Sequence, residues 1–414
     1  MTLRGLPAQL PALVIAGLLA TFSTALLIAD YSNAPVESPQ RLRLGRFYLL
    51  DDGLAVASLR DRLDDVGFKN AAIVFEAALK RDPGSAPRWL DYGEAALAAG
   101  DIPRAAYSYD RARQLAPHDV LILFDAADFY ATHGKPEAAL DAFSIILRES
   151  GAPKNDVLTN NVFVEFEALK VRQNKMLDRV IPDAVNAWAY LRFLIAKEPK
   201  GDGSAAREIW NWLSAKHYDD DTLVADYSRY MLGIHQFEAA GQAWSEHFNN
   251  RRGTLSGVFN GGFEYDFLNA PLDWRDEGFS SVRTQRDSEA KFEGKYSIRV
   301  TFTGNDNPDY HHFGQTLLLA PGRYRISAQL RTAGITSDEG IRLRTIVTGD
   351  PKQIRAESPA LSGTNNWTPI SLDLNVTAGT PAVELQISRH RSLRVDNQLK
   401  GTAWLDDVRI SKIP

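Results

Sequence analysis

The spacing of apolar residues changes twice along the chain and divides it into three parts. Residues 10–29 form an uninterrupted run of uncharged, mostly apolar positions. Residues 52–254 show the three- and four-residue spacing of amphipathic helices, whereas in residues 255–414 apolar and polar positions alternate. The alternating segments are short and are separated by turn dipeptides such as Pro321-Gly322. This pattern predicts a transmembrane helix, a helical region and a C-terminal antiparallel β-sandwich.

The apolar run at residues 10–29 contains twenty residues, which matches the ~20 that a helix needs to cross a bilayer. The apolar core of a cleavable signal peptide is shorter, usually about 7–15 residues. We therefore expect an uncleaved transmembrane anchor. The alternative is a signal peptide that is removed near the small residues Ser23, Thr24 and Ala25.

The charges on either side of this run predict its orientation. Arg4 precedes the run, whereas the acidic residues Asp30 and Glu37 follow it. Because basic residues favour the cytoplasmic side, we expect residues 1–9 in the cytoplasm and the body of the chain outside it. Residues 30–51 would form a polar linker. We therefore expect a single-pass protein of the bacterial inner membrane whose body lies in the periplasm.

The helical region has an internal repeat. Pro83 and Pro117 lie 34 residues apart, and 34 residues is the period of tetratricopeptide repeats. The frame 86–119 has large, small and helix-ending residues where that family places them: Trp89, Tyr92, Gly93, Ala96, Ala105, Tyr109, Ala112 and Pro117. Other frames follow the spacing less closely: 52–85, 120–153, 187–220 and 221–254. Residues 52–254 thus resemble an α-solenoid of tetratricopeptide repeats, which implies a surface for a protein partner.

Five short motifs occur in order in the alternating region. They are Asn260-Gly261-Gly262-Phe263-Glu264, Trp274, Glu293-Gly294-Lys295-Tyr296-Ser297, Pro321-Gly322-Arg323-Tyr324 and Trp404-Leu405-Asp406-Asp407-Val408. In this order, residues 255–414 resemble the jelly-roll carbohydrate-binding modules of the galactose-binding-like superfamily. That superfamily also contains structural and protein-binding members, so the resemblance implies the fold and leaves both a glycan and a protein open as ligands.

The same resemblance implies a structural calcium ion. In such modules the opening glutamate and one aspartate of the closing pair often lie near the ion. Here these acids are Glu264 with Asp406 or Asp407, and the carbonyl near Lys295 would add an oxygen ligand. Calcium takes about 6–8 oxygen ligands, which such groups can supply. The alternative is that the acids cap turns or pair with nearby arginines.

The candidate ligand-binding residues form an aromatic group and a basic group. Rings in predicted loops could stack on sugars: Trp274, Tyr310, His311, His312 and Trp367. Arginines that alternate with apolar residues could bind the carboxylates of an acidic glycan: Arg323, Arg325, Arg331, Arg342 and Arg344. The alternative for the rings is packing, and the alternative for the arginines is pairing with the domain's own acids.

Composition narrows the function further. The chain has no cysteine, which excludes disulfides, thiolate metal sites and cysteine nucleophiles. A formal net charge of -5 excludes a generally basic nucleic-acid-binding protein. No nucleophile elbow, phosphate loop or HExxH motif is present, so we expect no enzyme.

The combined expectation is a membrane-tethered periplasmic scaffold in exopolysaccharide or cell-envelope assembly. The repeats would bind a protein partner, and the sandwich would bind a polysaccharide or a second protein. A purely structural adaptor that binds no sugar is the alternative. A further alternative is a glycan-processing enzyme, which would need a catalytic pair of carboxylates that the sequence does not reveal.

Overall fold

The computed structural model of the 414-residue chain describes the following residues: 72, 75–76, 78–80, 82–150, 157–169, 173–248, 257–379, 382–395 and 397–414. The predicted transmembrane segment 10–29 and the linker 30–51 lie outside these ranges. Within them, no helix combines the length and the apolar character that crossing a bilayer requires. The described chain has ten α-helices followed by ten β-strands, and it divides into two compact units, Met1–Asn186 and Ala187–Pro414.

The helices follow one another with short connections. Their bounds are Ala86–Ala98 (α1), Ile102–Leu115 (α2), Val120–Thr132 (α3), Pro136–Glu149 (α4), Val157–Ala168 (α5), Gln173–Val180 (α6), Ala184–Lys197 (α7), Ser204–Ala215 (α8), Asp221–Gly233 (α9) and Phe237–Phe248 (α10). Helices α1 and α2, α3 and α4, and α9 and α10 pack as pairs. The predicted helical repeats are thus confirmed as pairs of helices in the described ranges.

Small residues bring the two helices of a pair together. At Gly93 in α1, an added Cβ would lie only 3.2 Å from the Cβ of Ser108 in α2. Ala105 in α2 is completely buried. The ring of Tyr109 stacks on Phe129 of α3, with 4.5 Å between centroids, and so connects one pair to the next. Small residues within pairs and aromatic rings between pairs are the arrangement that the repeat pattern predicts.

Replacing Ala105 by tryptophan tests this register. The side chain is 0% exposed, so Ala105→Trp should lower the free energy of unfolding by about 1–3 kcal/mol through overpacking. Tyr107 lies on the same helix and is 61% exposed, so Tyr107→Trp should change it by less than about 0.5 kcal/mol. Urea unfolding followed by circular dichroism measures both. Equal stability of the two variants would contradict the assigned frame.

The second unit contains helices α8 to α10 together with all ten strands. Trp210 in α8 stacks on Tyr227 in α9 at 4.6 Å, which repeats the aromatic contact between pairs seen in the first unit. Trp244 in α10 is 1% exposed, and its ring lies 5.2 Å from that of Phe259, which precedes the first strand. The last helices and the beginning of the β region therefore share buried aromatic contacts.

The strands form two five-stranded sheets. Their bounds are Arg275–Asp276 (β1), Val282–Asp287 (β2), Ser297–Thr303 (β3), Tyr310–Leu318 (β4), Gly322–Ile335 (β5), Arg342–Val347 (β6), Asp350–Glu357 (β7), Gly363–Val376 (β8), Ala382–Arg389 (β9) and Lys400–Ile413 (β10). Sheet I has the order β1-β4-β9-β6-β7, and sheet II has the order β2-β3-β10-β5-β8. All neighbouring strands are antiparallel.

The hydrophobic core lies between the two sheets. Both sheets contribute alternate residues, for example Ile326 of β5 in sheet II and Leu385 of β9 in sheet I, and each of these is 0% exposed. Alternate residues of a strand point to opposite faces, so the intervening positions lie on the outer side of each sheet. The alternation in the sequence therefore predicts the sandwich correctly. It also leaves one face of sheet I free to carry polar residues.

Candidate functional site

The outer side of sheet I carries a cluster of polar side chains. On β9, every second residue from Val383 to Ile387 belongs to the core, so the residues between and after them point the other way. The strand register places Arg342 beside Ser388, Arg344 beside Gln386, and Thr316 beside Glu384. We call the following six residues the polar face: Thr316, Arg342, Arg344, Glu384, Gln386 and Ser388.

Hydrogen bonds run across this face from strand to strand. Arg275 of β1 donates to Glu384 Oε1 at 3.2 Å, and Gln386 Nε2 donates to the same oxygen at 3.0 Å. Gln386 Oε1 in turn accepts a 2.8 Å hydrogen bond from Arg344 Nε. Such a chain fixes the orientation of each side chain, which is how a binding surface is held ready for a ligand.

Several polar atoms on and beside this face have no partner. Arg344 is 3% exposed and Ser388 is 1% exposed. Among the described residues, four buried atoms of the β region lack a hydrogen-bond partner: His311 Nδ1, Arg342 Nε, Arg344 Nη2 and Ser388 Oγ. Buried polar groups in folded proteins are nearly always hydrogen-bonded, so each exception requires an explanation. Here the exceptions come from three neighbouring strands of one sheet.

His311 in β4 lies close enough to Arg344 for the two groups to influence each other. Burial lowers the pKa of His311 to about 4, and the nearby side chains of Arg344 and His312 lower it further. The ring is therefore neutral at neutral pH, and each of its nitrogens can donate or accept according to the tautomer. Burial also lowers the pKa of Arg344, whose guanidinium has been removed from water.

The lowered pKa of His311 predicts a loss of stability in mild acid. Between the ordinary pKa of 6.5 and the folded value of about 4, the unfolded chain binds a proton that the folded chain does not, so stability falls as pH falls through this window. Melting temperatures at pH 7 and pH 5 should show a smaller drop for His311→Gln than for the wild type. An identical drop in both would contradict the assigned environment.

Three of the predicted ligand-binding residues come together at this site, namely His311, Arg342 and Arg344. Two other predictions are wrong. Trp274 is 0% exposed and stacks on Phe313 at 5.2 Å, and Tyr310 is 1% exposed in β4. Both rings fill the space between the sheets, where an aromatic side chain buries the largest apolar area. They present no face to a ligand.

His312 follows His311 in β4 of sheet I, and the remaining predicted residues lie on sheet II. Arg325 of β5 makes two hydrogen bonds to the exposed carboxylate of Asp373, at 2.7 and 2.9 Å. Trp367 lies in β8 rather than in a predicted loop, and it contacts the half-exposed ring of Phe292 at 6.0 Å. The five predicted arginines are therefore divided between the outer sides of two sheets and do not form one patch.

Several residues of the site were not predicted. Glu384, Gln386 and Ser388 lie in the segment Ala-Val-Glu-Leu-Gln-Ile-Ser-Arg, where they alternate with apolar residues. The polar half of the same pattern could have indicated them. Arg275 carries no comparable signal, because β1 is only two residues long.

The acids assigned to calcium hold a turn in this structure. Glu264 Oε1 accepts hydrogen bonds from the backbone N–H groups of Lys295 and Tyr296, at 2.8 and 3.1 Å. Asp406 Oδ2 accepts from Phe292 and Glu293, at 2.8 and 3.1 Å. Together the two carboxylates anchor residues 292–296. This is the capping alternative that the sequence leaves open.

The geometry fits calcium poorly. Glu264 Oε1 and Asp406 Oδ2 face two N–H donors each, whose positive ends would repel a cation. Asp407 Oδ1 accepts a hydrogen bond from Arg409 instead. Among the described residues, no three His, Asp or Glu side chains are grouped as metal ligands. Calcium binding stays an untested implication of the family resemblance, and no step of the function is assigned to it.

A second polar surface lies on the helices of the first unit. Burial raises the pKa of Asp125 in α3, and the nearby carboxylates of Glu94 in α1 and Asp128 in α3 raise it further. Burial and the charge of Asp128 likewise raise the pKa of Glu165 in α5. Carboxylates held close together repel each other and lower stability, and such repulsion is typical of functional surfaces.

The sequence matches no family model, and it matches no curated protein. Solved structures with partial likeness include the CBM22-1 xylan-binding domain of Xyn10C from Paenibacillus barcinonensis, with 13% identity, a TM-score of 0.28, and coverage of 38% of this chain and 94% of that chain. A tetratricopeptide repeat protein from Parabacteroides merdae has 16% identity, a TM-score of 0.24, and coverage of 49% and 81% respectively.

PilW, a widely conserved type IV pilus biogenesis factor, has 14% identity and a TM-score of 0.25, over 48% of this chain and 93% of that chain. At these identities and TM-scores, the likenesses support no statement about ligands or partners. The helical pairs and the two-sheet sandwich follow from the contacts and strand registers described above.

Proposed function

We propose that this protein is a membrane-tethered scaffold of the bacterial cell envelope that binds a glycan on the polar face of sheet I. The helical repeats would hold a protein partner, and the body would lie in the periplasm. Exopolysaccharide or envelope assembly is the process that such a combination suits. The proposal assigns no catalytic step.

The four unpartnered polar atoms beside one another on sheet I carry the glycan part of this proposal. Leaving a buried donor or acceptor unsatisfied costs about 1–3 kcal/mol. Several such groups on one face lower the stability of the fold, and such a local cost is typical of a functional site. A sugar offers many hydroxyl groups that both donate and accept hydrogen bonds, so it could satisfy arginine, serine and histidine side chains together.

The membrane and partner parts have separate support. The apolar run at residues 10–29 supports tethering, and fractionation should leave the full-length chain in membranes at high salt. A soluble protein that begins near Leu26 or Asp30 would indicate a cleaved signal peptide instead.

The acidic surface around Asp125 and Glu165 supports the use of the helices for binding a protein partner, because repulsion between its carboxylates lowers the stability of the unit that carries it.

A glycan array probed with the full-length chain tests the proposal. We expect binding to at least one glycan class. Ser388→Ala should weaken it severalfold, because the serine hydroxyl is buried on the face and hydrogen-bonds to none of the residues that the structure describes. Ser371 is an exposed serine on β8 of sheet II, so Ser371→Ala should bind like the wild type.

The same array distinguishes the alternative function. If no glycan binds while the protein is folded, the sandwich is a protein-docking module and the chain is an adaptor without a sugar ligand. If both serine variants bind equally well, a glycan is bound at some other surface, and the polar face is not the site.

A further inference from the structure

Arg344 on the polar face is a buried cation that forms no ion pair within the part of the chain that the structure describes. Its side chain is 3% exposed, Nε donates to Gln386 Oε1 at 2.8 Å, and Nη2 has no partner among the described residues. Three acids raise its pKa without an ion pair at 4 Å or less, namely Asp309, Glu384 and Glu357, which lies opposite Arg344 on β7. A charge taken out of water without a paired counter-ion is costly, so buried charges are normally paired or fully hydrogen-bonded.

Arg389, in the same strand β9, shows how the fold satisfies a buried guanidinium when its role is structural. This residue is 0% exposed and also has no carboxylate partner at ion-pair distance among the described residues. Its three nitrogens make five hydrogen bonds to neighbouring oxygens: Asn307 Oδ1, Ser337 Oγ and the carbonyls of Pro308, Glu339 and Asn397. Arg344 has nothing comparable, so packing and hydrogen bonding within the protein do not account for its burial.

The groups around Arg344 specify what would satisfy it. Arg344 Nη2 and Arg342 Nε are donors, and Ser388 Oγ and the neutral His311 ring can donate as well. The ligand must therefore supply acceptors. A carboxylate supplies two oxygens in the plane of a guanidinium, with a negative charge that balances the buried positive one.

We propose that the polar face binds an acidic glycan and that Arg344 receives the carboxylate of a uronic acid residue. This inference rests on the proposed function and deepens it, because the site could bind a neutral sugar without Arg344 meeting an anion. Ser388 and His311 lie where they would contact neighbouring hydroxyl groups of the same sugar. Nη2 is itself buried, so binding requires side chains on this face to move.

A sugar suits this surface better than an acidic peptide does. Among the six residues of the polar face none is apolar, so the face offers no pocket for the side chains of a peptide. Its serine, threonine, glutamine and glutamate groups match hydroxyl donors and acceptors, which a pyranose ring presents on every side.

The test uses two ligands that differ only in charge. Calorimetric titration of the full-length chain with an oligouronate, and with the same oligosaccharide after reduction of its carboxyl groups, should show binding at least about tenfold tighter for the charged form. Arg344→Met should abolish this difference. Arg325→Met, which removes an exposed arginine on sheet II that pairs with Asp373, should preserve it.

The melting temperature of Arg344→Met is a second readout. Replacing Arg344 removes the cost of keeping an unpaired charge out of water, and this gain offsets the loss of one hydrogen bond to Gln386. We therefore expect the variant to be folded and to melt at the wild-type temperature or above it. A marked decrease would show that the arginine supports the fold, and it would overturn the inference.

The outcomes separate this inference from the proposed function. Equal affinity for the charged and the reduced oligosaccharide would overturn the acidic-sugar assignment and keep glycan binding. Absence of binding to every saccharide would overturn both. Binding of oligoglutamate but not of the oligouronate would replace the glycan by an acidic protein segment.

Discussion

Arg389→Met should lower the free energy of unfolding of the sandwich by at least about 3 kcal/mol, because several buried oxygens would lose their donor and each such loss costs about 1–3 kcal/mol. Arg389 lies at the end of β9 and is fully buried. Its guanidinium holds three loops together, through Pro308, Ser337 and Asn397. Lysine should not restore stability, since one ammonium group cannot reproduce the planar set of donors.

Guanidinium-induced unfolding followed by tryptophan fluorescence measures this effect, because Trp274 lies in the core of the same domain. Arg325→Met is the matched control. Arg325 is half-exposed and forms a surface ion pair with Asp373, so its loss should change stability only slightly. If the two variants were equally stable, Arg389 would not hold the loops together.

Asp406→Asn should lower the free energy of unfolding by about 2–4 kcal/mol. Both oxygens of this fully buried carboxylate accept backbone hydrogen bonds, from Phe292, Glu293 and Asp407. In asparagine an NH2 group replaces one of the two carboxylate oxygens. This donor would face a backbone N–H group, which is also a donor. Burial raises the pKa of Asp406, while these three hydrogen bonds act in the opposite direction by favouring the charged form.

Asp407→Asn provides the control for this change. Asp407 has a φ of 49°, a backbone conformation that asparagine tolerates well. Its carboxylate interacts with exposed Arg409, so the substitution should have a small effect on stability. Thermal unfolding of the two variants should therefore differ clearly. Similar melting temperatures would mean that Asp406 does not anchor the turn at residues 292–296.

The same unfolding experiment addresses calcium. Because backbone N–H groups already occupy Glu264 Oε1 and Asp406 Oδ2, we expect identical melting curves in chelator and in millimolar calcium. Glu264→Gln should then cause a small loss that does not depend on calcium. A calcium-dependent rise in melting temperature that Glu264→Gln abolishes would restore the metal, since an ion at 100 times its Kd adds about 2.7 kcal/mol.

Periodicity predicts the architecture of the described chain well. The spacing around Ala105 and Tyr109 predicts helix pairs, and both residues occupy the buried positions that a repeat requires. The alternation in β9 predicts a strand with one buried side. These features depend on local sequence, because a helix repeats every 3.6 residues and a strand every two.

The binding surface is less predictable because it depends on contacts between distant strands. Arg344 and Arg325 have similar sequence surroundings, since each alternates with apolar residues. In the structure, Arg325 pairs with Asp373 on the neighbouring strand, whereas the one side-chain partner of Arg344 in the described ranges is Gln386. The strand register also places an acid, Glu357 of β7, opposite Arg344, but this carboxylate contacts other side chains instead. Alternation does not encode such a choice of partner.

Whether an aromatic ring is exposed or buried is also hard to predict from the sequence. Trp274 lies between strands in the sequence, where an exposed ring is a reasonable expectation. Its indole N–H donates to the carbonyl of Asn260 at 3.1 Å, and its ring stacks on Phe313. A buried tryptophan needs both an apolar surrounding and a partner for its N–H group, and only the tertiary structure supplies them.

A crystal structure of the chain with a bound oligosaccharide tests the central claim most directly. The account predicts a sugar on the outer side of sheet I, with its oxygens within hydrogen-bond distance of Arg344 Nη2 and Ser388 Oγ. A sugar bound elsewhere, for example against Trp367 on sheet II, with those two atoms still without a partner, would contradict it.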